Sequence, residues 1–243
     1  MTKPVAVVTG AARGIGEAIV AKLAQSGFAV LALDRDPAAN KEATARHRAT
    51  GLDVLARSAD VRDRSEIAAA LAEFSDIAVA VNNAGIFRPL DFFDLTEEDF
   101  RAMIDVNVIG SFILAQEVAK RMRPGGRIIN IASRAVLGSP GYAHYVASKA
   151  AIVGLTRAMA LELHSRGVRV NAVAPGFTDT PMTQSALSAD GQSAARAAQP
   201  GGVALLPKQI ASAVAFLADS GSDAINGQVI FADGGKSIGA LPW

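Results

Sequence analysis

Short β-type runs rich in apolar residues alternate with longer helical stretches from one end of the chain to the other. The runs at 5–8, 29–33, 54–58, 78–81, 127–131, 169–173 and 228–231 predict β-strands. Several are continuously apolar without alternation, the pattern of parallel strands buried on both faces. Between them, 16–25, 96–121 and 145–163 predict helices. Gly27 stands where a glycine closes the first of these, and Pro207 suits the first turn of a late helix. Repeated β-α units predict one α/β domain over 1–243, a Rossmann-type doubly wound parallel sheet with right-handed crossovers and helices on both faces. The stretch 183–202 fits neither pattern. Rich in Ala, Ser, Gln and Gly, it is too long for a bare connection and is expected to be a loop or loosely held helix pair serving as a substrate lid.

Composition removes several classes of function. Half of the 243 residues are hydrophobic and only 19% are charged, which suits a packed core. Lys plus Arg total 24 against 23 for Asp plus Glu, so no strong field draws nucleic acid or an anionic membrane. The chain has no cysteine, which excludes disulfides, thiolate nucleophiles, iron–sulfur clusters and cysteine-type zinc sites. His47, His144 and His164 lack metal-ligand spacing, and no metal site is expected. Basic residues gather at 121–127, in a position expected to be a solvated helix end. The first apolar segment stops at Gly10, too short for a signal peptide or a membrane span, and a cytoplasmic protein is expected.

The first strand runs into Thr9-Gly10-Ala11-Ala12-Arg13-Gly14-Ile15-Gly16 and then at once into a helix. Glycines there allow a tight turn and let the backbone approach a pyrophosphate, which a helix N-terminus favours electrostatically. Asp34 ends the second strand 20 residues after Gly14, where a carboxylate can accept hydrogen bonds from an adenosine ribose.

These residues, followed in order by Asp60-Val61, Asn82-Asn83-Ala84-Gly85, Asn107, Ser133, Tyr145-x-x-x-Lys149 and Pro175-Gly176, resemble the short-chain dehydrogenase/reductase family over nearly the whole chain. The TGxxxGxG spacing differs from the GxGxxG of longer dehydrogenases. The resemblance implies adenine contacts from Asp60 and Val61, and support of the cofactor by Asn83, Ala84 and Gly85. It implies a nicotinamide clamp from Pro175, Gly176 and Thr180. Thr178 stands where many relatives carry isoleucine and use mainly its backbone.

Asp34 argues for NAD over NADP. A 2′-phosphate about 4 Å from it would meet repulsion on the order of 4 kcal/mol per charge pair at an effective dielectric near 20. Arg13 and Arg35 argue the other way, since NADP-using relatives often carry a basic residue at one of these two positions. NAD is the expected cofactor.

Tyrosine, with an ordinary pKa near 10, is a poor base at neutral pH. A lysine four residues later on a helix lies one turn away on the same face, and its charge favours the phenolate. Tyr145 and Lys149 have that spacing. Ser133 lies just past the end of the 127–131 run, in the crevice where open α/β sheets bind ligands, and can hold a substrate oxygen. Ala132 precedes it where many relatives have a second serine. The resemblance implies that Asn107 bends its helix and holds a water leading to Lys149, completing a proton relay.

The expected reaction is interconversion of a secondary alcohol and a ketone by direct hydride transfer. Expected substrate contacts are Phe87, Arg134, Leu137, Tyr142, His144, Phe177 and Met182, beside the lid. Ser133 and Tyr145 are twelve positions apart, one fewer than in many relatives, which reshapes the intervening loop. The competing enzyme reading is an NADPH-dependent 3-oxoacyl-(acyl carrier protein) reductase, to which Arg166 is favourable and Pro124 and Asp34 are unfavourable. A non-catalytic dinucleotide sensor is opposed by the complete Asn107–Ser133–Tyr145–Lys149 set. The resemblance further implies a homotetramer, with helices 96–121 and 145–163 forming one dimer face and the 237–243 tail, ending in Trp243, against a neighbour.

Overall fold

The computed structural model describes residues 3–238, so the tail reading falls outside the described residues from 239 onward. In chain order the elements are β1 (Val5–Thr9), α1 (Gly14–Gln25), β2 (Ala29–Asp34), α2 (Pro37–Ala49), β3 (Val54–Ser58), α3 (Arg64–Ala70) and β4 (Ile77–Asn82). There follow α4 (Glu97–Ile104), a π-helical turn (Asp105–Ile109), α5 (Gly110–Ala119), β5 (Arg127–Ile131), α6 (Ala143–Glu162) and β6 (Arg169–Pro175). The chain continues through α7 (Pro181–Ala186), α8 (Ala189–Ala197), α9 (Pro207–Ala218) and β7 (Val229–Ala232).

The seven strands form one parallel sheet in the order β3-β2-β1-β4-β5-β6-β7. Strand order reverses between β1 and β4, which opens a crevice at the carboxyl ends of those strands. Ile19, Leu23, Ile210, Val214 and Leu217 of α1 and α9 cover one face of the sheet. Ile67, Leu114, Val118 and Met159 of α3, α5 and α6 cover the other. Burial on both faces explains why 5–8, 29–33 and 78–81 read as unbroken apolar runs, whereas β5 buries Arg127 and Asn130 among its isoleucines.

All seven strands lie within a few residues of their predicted positions, and Gly27 follows the first helix with φ +96°. The helices 37–49 and 64–70 had no apolar periodicity to reveal them. The buried residues of α2 are Asn40, Ala43 and Thr44, so no hydrophobic stripe marks it. Its start is set instead by Asp36, whose side chain accepts from Ala39 N, and by Pro37 in the first turn. The stretch 183–202 resolves into the helix pair α7 and α8, neither of which buries a residue.

The helix expected over 96–121 runs from Glu97 to Ala119, with five residues in π geometry around Asn107, where the family resemblance implies a bend. This composite helix is long and apolar enough to cross a membrane, but 56% of its apolar window is buried inside the protein. One expectation is corrected: 121–127 is not uniformly solvated. Arg127 opens β5 at 4% exposure, donating to Ala218 O and pairing with Asp223 at 2.7 Å.

Candidate active site

The crevice at the β1–β4 switch is built by hydrogen bonds across it. Thr9 Oγ1 accepts from the backbone N–H groups of Asn83 and Ala84, both at 3.1 Å. Asn83 Nδ2 donates back to the carbonyls of Thr9 and Gly10 at 2.9 and 3.0 Å. The segment following β4 is thereby tied to the glycine-rich turn following β1. Within the turn, a Cβ on Gly16 would drive into the Gly10 carbonyl oxygen, and Gly10 itself has φ +62°. Gly14 faces the Thr180 side chain, while Ile15 is partly buried against the core beneath α1. This bare cradle, opening a 12-residue helix, fits a dinucleotide pyrophosphate.

Asp34 closes the cradle on the β2 side. One carboxylate oxygen accepts from Ala12 N and the other from Asp36 N, each at 3.0 Å. The acid therefore fastens the glycine-rich turn to the end of β2, and its remaining lone pairs can accept ribose hydroxyls. Asp60 and Val61 follow β3 on the same side; Asp60 is paired with Arg62 at 2.6 Å, which lowers its pKa, and Val61 packs beneath Gly110. Arg13 reaches Asp36 at 3.1 Å. Arg35 makes no ion pair among the described residues.

At the other end of the crevice Pro175 closes β6, and Gly176 N donates to Ala232 O at 3.0 Å. Thr178 is 3% exposed, donates to Gly176 O and forms a bridge with Leu205. Thr180 caps α7 through Thr183, whose hydroxyl also reaches Thr178 O at 2.9 Å. The segment 176–180 and the start of α7 thus form one hydrogen-bonded unit.

Lys149 and Tyr145 lie one turn apart on α6, beside the end of β5. The Lys149 ammonium donates to Ile131 O at 2.8 Å and sits 5.7 Å from the centre of the Tyr145 ring. Lys149 is 5% exposed, and loss of water pushes its pKa down to about 8. The Tyr145 ring keeps some accessible surface, yet desolvation of the phenol pushes its pKa up to about 12, opposed by the Ser133 hydroxyl and reinforced by Tyr142. Burial thus dominates the phenol in the cofactor-free chain, whereas the lowering expected from Lys149 is joined by the charge of an oxidised nicotinamide. Ser133 Oγ accepts from Ala135 N at 3.1 Å, which leaves its own O–H free to donate.

Asn107 stands in the π turn at 1% exposure. Its Oδ1 accepts from Ile86 N at 2.8 Å, and its Nδ2 donates to Ile86 O and to Ser148 Oγ. Ser148 in turn donates to Tyr145 O at 2.8 Å. One amide thus joins the loop after β4 to the turn of α6 that carries both Tyr145 and Lys149. A π turn re-aims side chains at a helix interior, a common device at functional sites. A second chain, Asn82–Asn130–Thr156, links β4 through β5 to α6 at 2.8 Å per step.

The Phe87 ring meets Tyr145 at 4.9 Å and Tyr142 at 5.1 Å, both edge-on, and Tyr142 is hydrogen-bonded to Ser139. Arg134 and Phe177 are partly exposed, and Leu137 and Met182 are exposed at 56% and 42%. His144 is not available to a substrate: it is 1% exposed, with Nδ1 unpartnered, and burial lowers its pKa. Sequence reasoning missed Ser148, Asn130, Thr156 and Thr183, each a small polar residue whose type alone carries no signal.

The description of the family model that matches residues 10–237 is enoyl-(acyl carrier protein) reductase. A 3-oxoacyl-[acyl-carrier-protein] reductase from Synechocystis sp. is 41% identical, with 97% of each chain covered. The (2S)-[(R)-hydroxy(phenyl)methyl]succinyl-CoA dehydrogenase subunit BbsD of Thauera aromatica is 38% identical, with 96% of each covered. Among solved structures, an actinorhodin polyketide ketoreductase with NADPH matches at TM-score 0.90 and 32% identity, covering 98% of this chain and 99% of the other. A glycine cradle at the β1–β4 switch, a Tyr–Lys pair on α6 beside Ser133, and full-length similarity to such enzymes agree: this chain is an oxidoreductase of the short-chain dehydrogenase/reductase family.

Proposed function

We propose that the chain reduces the keto group of a 3-oxoacyl thioester to the secondary alcohol, with Tyr145 as proton donor. The observation that carries the reaction is the buried Lys149 ammonium beside Tyr145 and Ser133 at the end of β5. The thioester is supported by the names of two relatives, one acting on an acyl carrier protein and the other on a hydroxyl-bearing acyl-CoA. That support favours the competing reductase reading over an unspecified alcohol.

A nicotinamide cofactor, when bound, supplies the hydride that the carbonyl carbon accepts. The chain's own residues do the rest. The turn 10–16 cradles the pyrophosphate, and Lys149 holds the nicotinamide ribose with the donors that Ile131 leaves free. Ser133 donates to the carbonyl oxygen and fixes it beside Tyr145. As the carbon–oxygen double bond opens, that oxygen takes the phenol proton. With its pKa near 12 the phenol keeps this proton at neutral pH, as a donor must. Lys149, near 8, is then mostly charged and stabilises the phenolate left behind. Asn107 holds α6 to the loop after β4, and our reading routes a water relay to Lys149 past it. Phe87 and Tyr142 form the apolar wall of the substrate site, and 183–202 closes over it as the lid.

For the cofactor, the similar ketoreductase solved with NADPH favours NADPH. Asp34, pinned by two backbone N–H groups at the ribose end of the cradle, favours NADH, and we take NADH as the preferred form. We further propose a cytoplasmic homotetramer, its assembly supported by exposed Phe100, Ile109 and Leu161 on the composite helix and α6.

A panel of simple ketones and of 3-oxoacyl thioesters on coenzyme A and on carrier protein, each with NADH and NADPH, tests the reaction through loss of reduced-nicotinamide absorbance. Fastest turnover is expected with a thioester and NADH; turnover of simple ketones alone would overturn the thioester. Sedimentation equilibrium should give the mass of four chains, and a monomer mass would refute the assembly. The Lys149 protonation is testable in the cofactor-free protein. A lysine whose pKa falls from 10.5 to about 8 on folding costs stability on the order of 3 kcal/mol below about pH 8, and the cost fades as pH rises towards 10.5. In urea unfolding, the stability of Lys149→Met relative to wild type should therefore decline between pH 8 and 10.5; a flat difference would contradict the burial of a titrating ammonium.

A further inference from the structure

Two residues beyond Asp34, a second carboxylate stands at the rim of the crevice. Asp36 precedes α2 and uses one oxygen to accept from Ala39 N at 3.1 Å. Its other oxygen takes the Arg13 guanidinium at 3.1 Å. Arg13 sits just before α1 in extended backbone, φ −157° and ψ 165°, so its side chain leaves the glycine-rich turn and crosses to the turn after β2. The ion pair bridges the two turns between which a doubly wound sheet receives the adenosine end of a dinucleotide. Arg13 is the cation that the glycine-rich turn itself offers there, and its charge is already matched.

We propose that Asp36 sets cofactor preference by holding Arg13, so that the guanidinium is not available to a 2′-phosphate. This deepens the NADH reading of Asp34 and works differently. Asp34 meets the ribose end directly from a fixed position, whereas Asp36 acts by occupying the one cation on the opposite turn. Both partners of the pair are partly solvated, with side-chain exposures of 59% and 41%, so the effect is modest and sensitive to salt. An extra carboxylate also adds its own repulsion to a phosphate, and the test must separate that from the hold on Arg13.

Asp36→Asn retains an oxygen able to cap α2 while removing the charge. Binding of NADPH and NADH to wild type, Asp36→Asn, Arg13→Ala and the double variant is read by nucleotide fluorescence titration at low salt, with thermal unfolding confirming that each is folded. Asp36→Asn should tighten NADPH by about fivefold, the scale of one exposed ion pair, and change NADH by less than about twofold. In the Arg13→Ala background the same change should tighten NADPH by less than about twofold. Unchanged NADPH affinity in folded Asp36→Asn would overturn the proposal. So would an equal gain without Arg13, which would assign the effect to the charge of Asp36 alone. Wild type binding NADPH better than NADH would refute the Asp34 reading, and the shift between variants would still decide the role of Asp36.

Discussion

The site is organised around an ammonium buried beneath the ends of β4 and β5. Removing a lysine charge from water costs several kcal/mol unless polar groups replace the lost hydration. Here Ile131 O supplies one acceptor at 2.8 Å. That carbonyl belongs to the last residue of β5, so the sheet itself decides where Lys149 can sit. Tyr145, one helical turn away, is carried to the same place by α6. The two groups are shifted in opposite directions by the same cause, since burial disfavours both ammonium and phenolate. A cofactor and a substrate oxygen would restore to each the polar contacts that burial removed.

Holding α6 in register is the work of buried amides. Asn107 grips both backbone groups of Ile86 and reaches Ser148, which closes on Tyr145 O. Asn130 spans from Asn82 to Thr156. Such networks are favourable only when satisfied, and their directionality fixes one arrangement where apolar packing would tolerate several. The same principle appears at the cofactor end, where Thr9, Asn83 and Asp34 tie together the turns after β1, β2 and β4.

Legibility in the sequence followed the type of interaction. Buried parallel strands leave continuous apolar runs at 5–8, 29–33 and 78–81, and the other four were readable as short β-type runs between helical stretches. Glycines that must approach backbone, an acid at a strand end and a Tyr–Lys pair at helical spacing carry their own physical reasons, and the structure gathers them into one crevice. Helix α2 hid because it buries Asn40 and Thr44 in place of an apolar stripe. The resemblance pointed to a bend at Asn107, but its π geometry was not readable, because one asparagine in a helical pattern does not reveal which carbonyls lose their partners. Protonation was the least legible, because residue spacing places Lys149 near Tyr145 but says nothing of how much water is lost around each. His144 illustrates the same limit: adjacency to Tyr145 in sequence put it near the substrate, whereas α6 turns it into the interior.

The central claim is that the Tyr145 phenol delivers the proton while the rest of the site binds and orients. Stopped-flow single turnover of the NADH complex with acetoacetyl-coenzyme A, compared between wild type and Tyr145→Phe, tests it most directly. The phenylalanine variant should bind NADH within about twofold of wild type while its reduction rate falls on the order of 10²- to 10⁴-fold, the usual contribution of a positioned general acid. A folded, NADH-binding Tyr145→Phe that reduces the substrate at close to the wild-type rate would contradict the account.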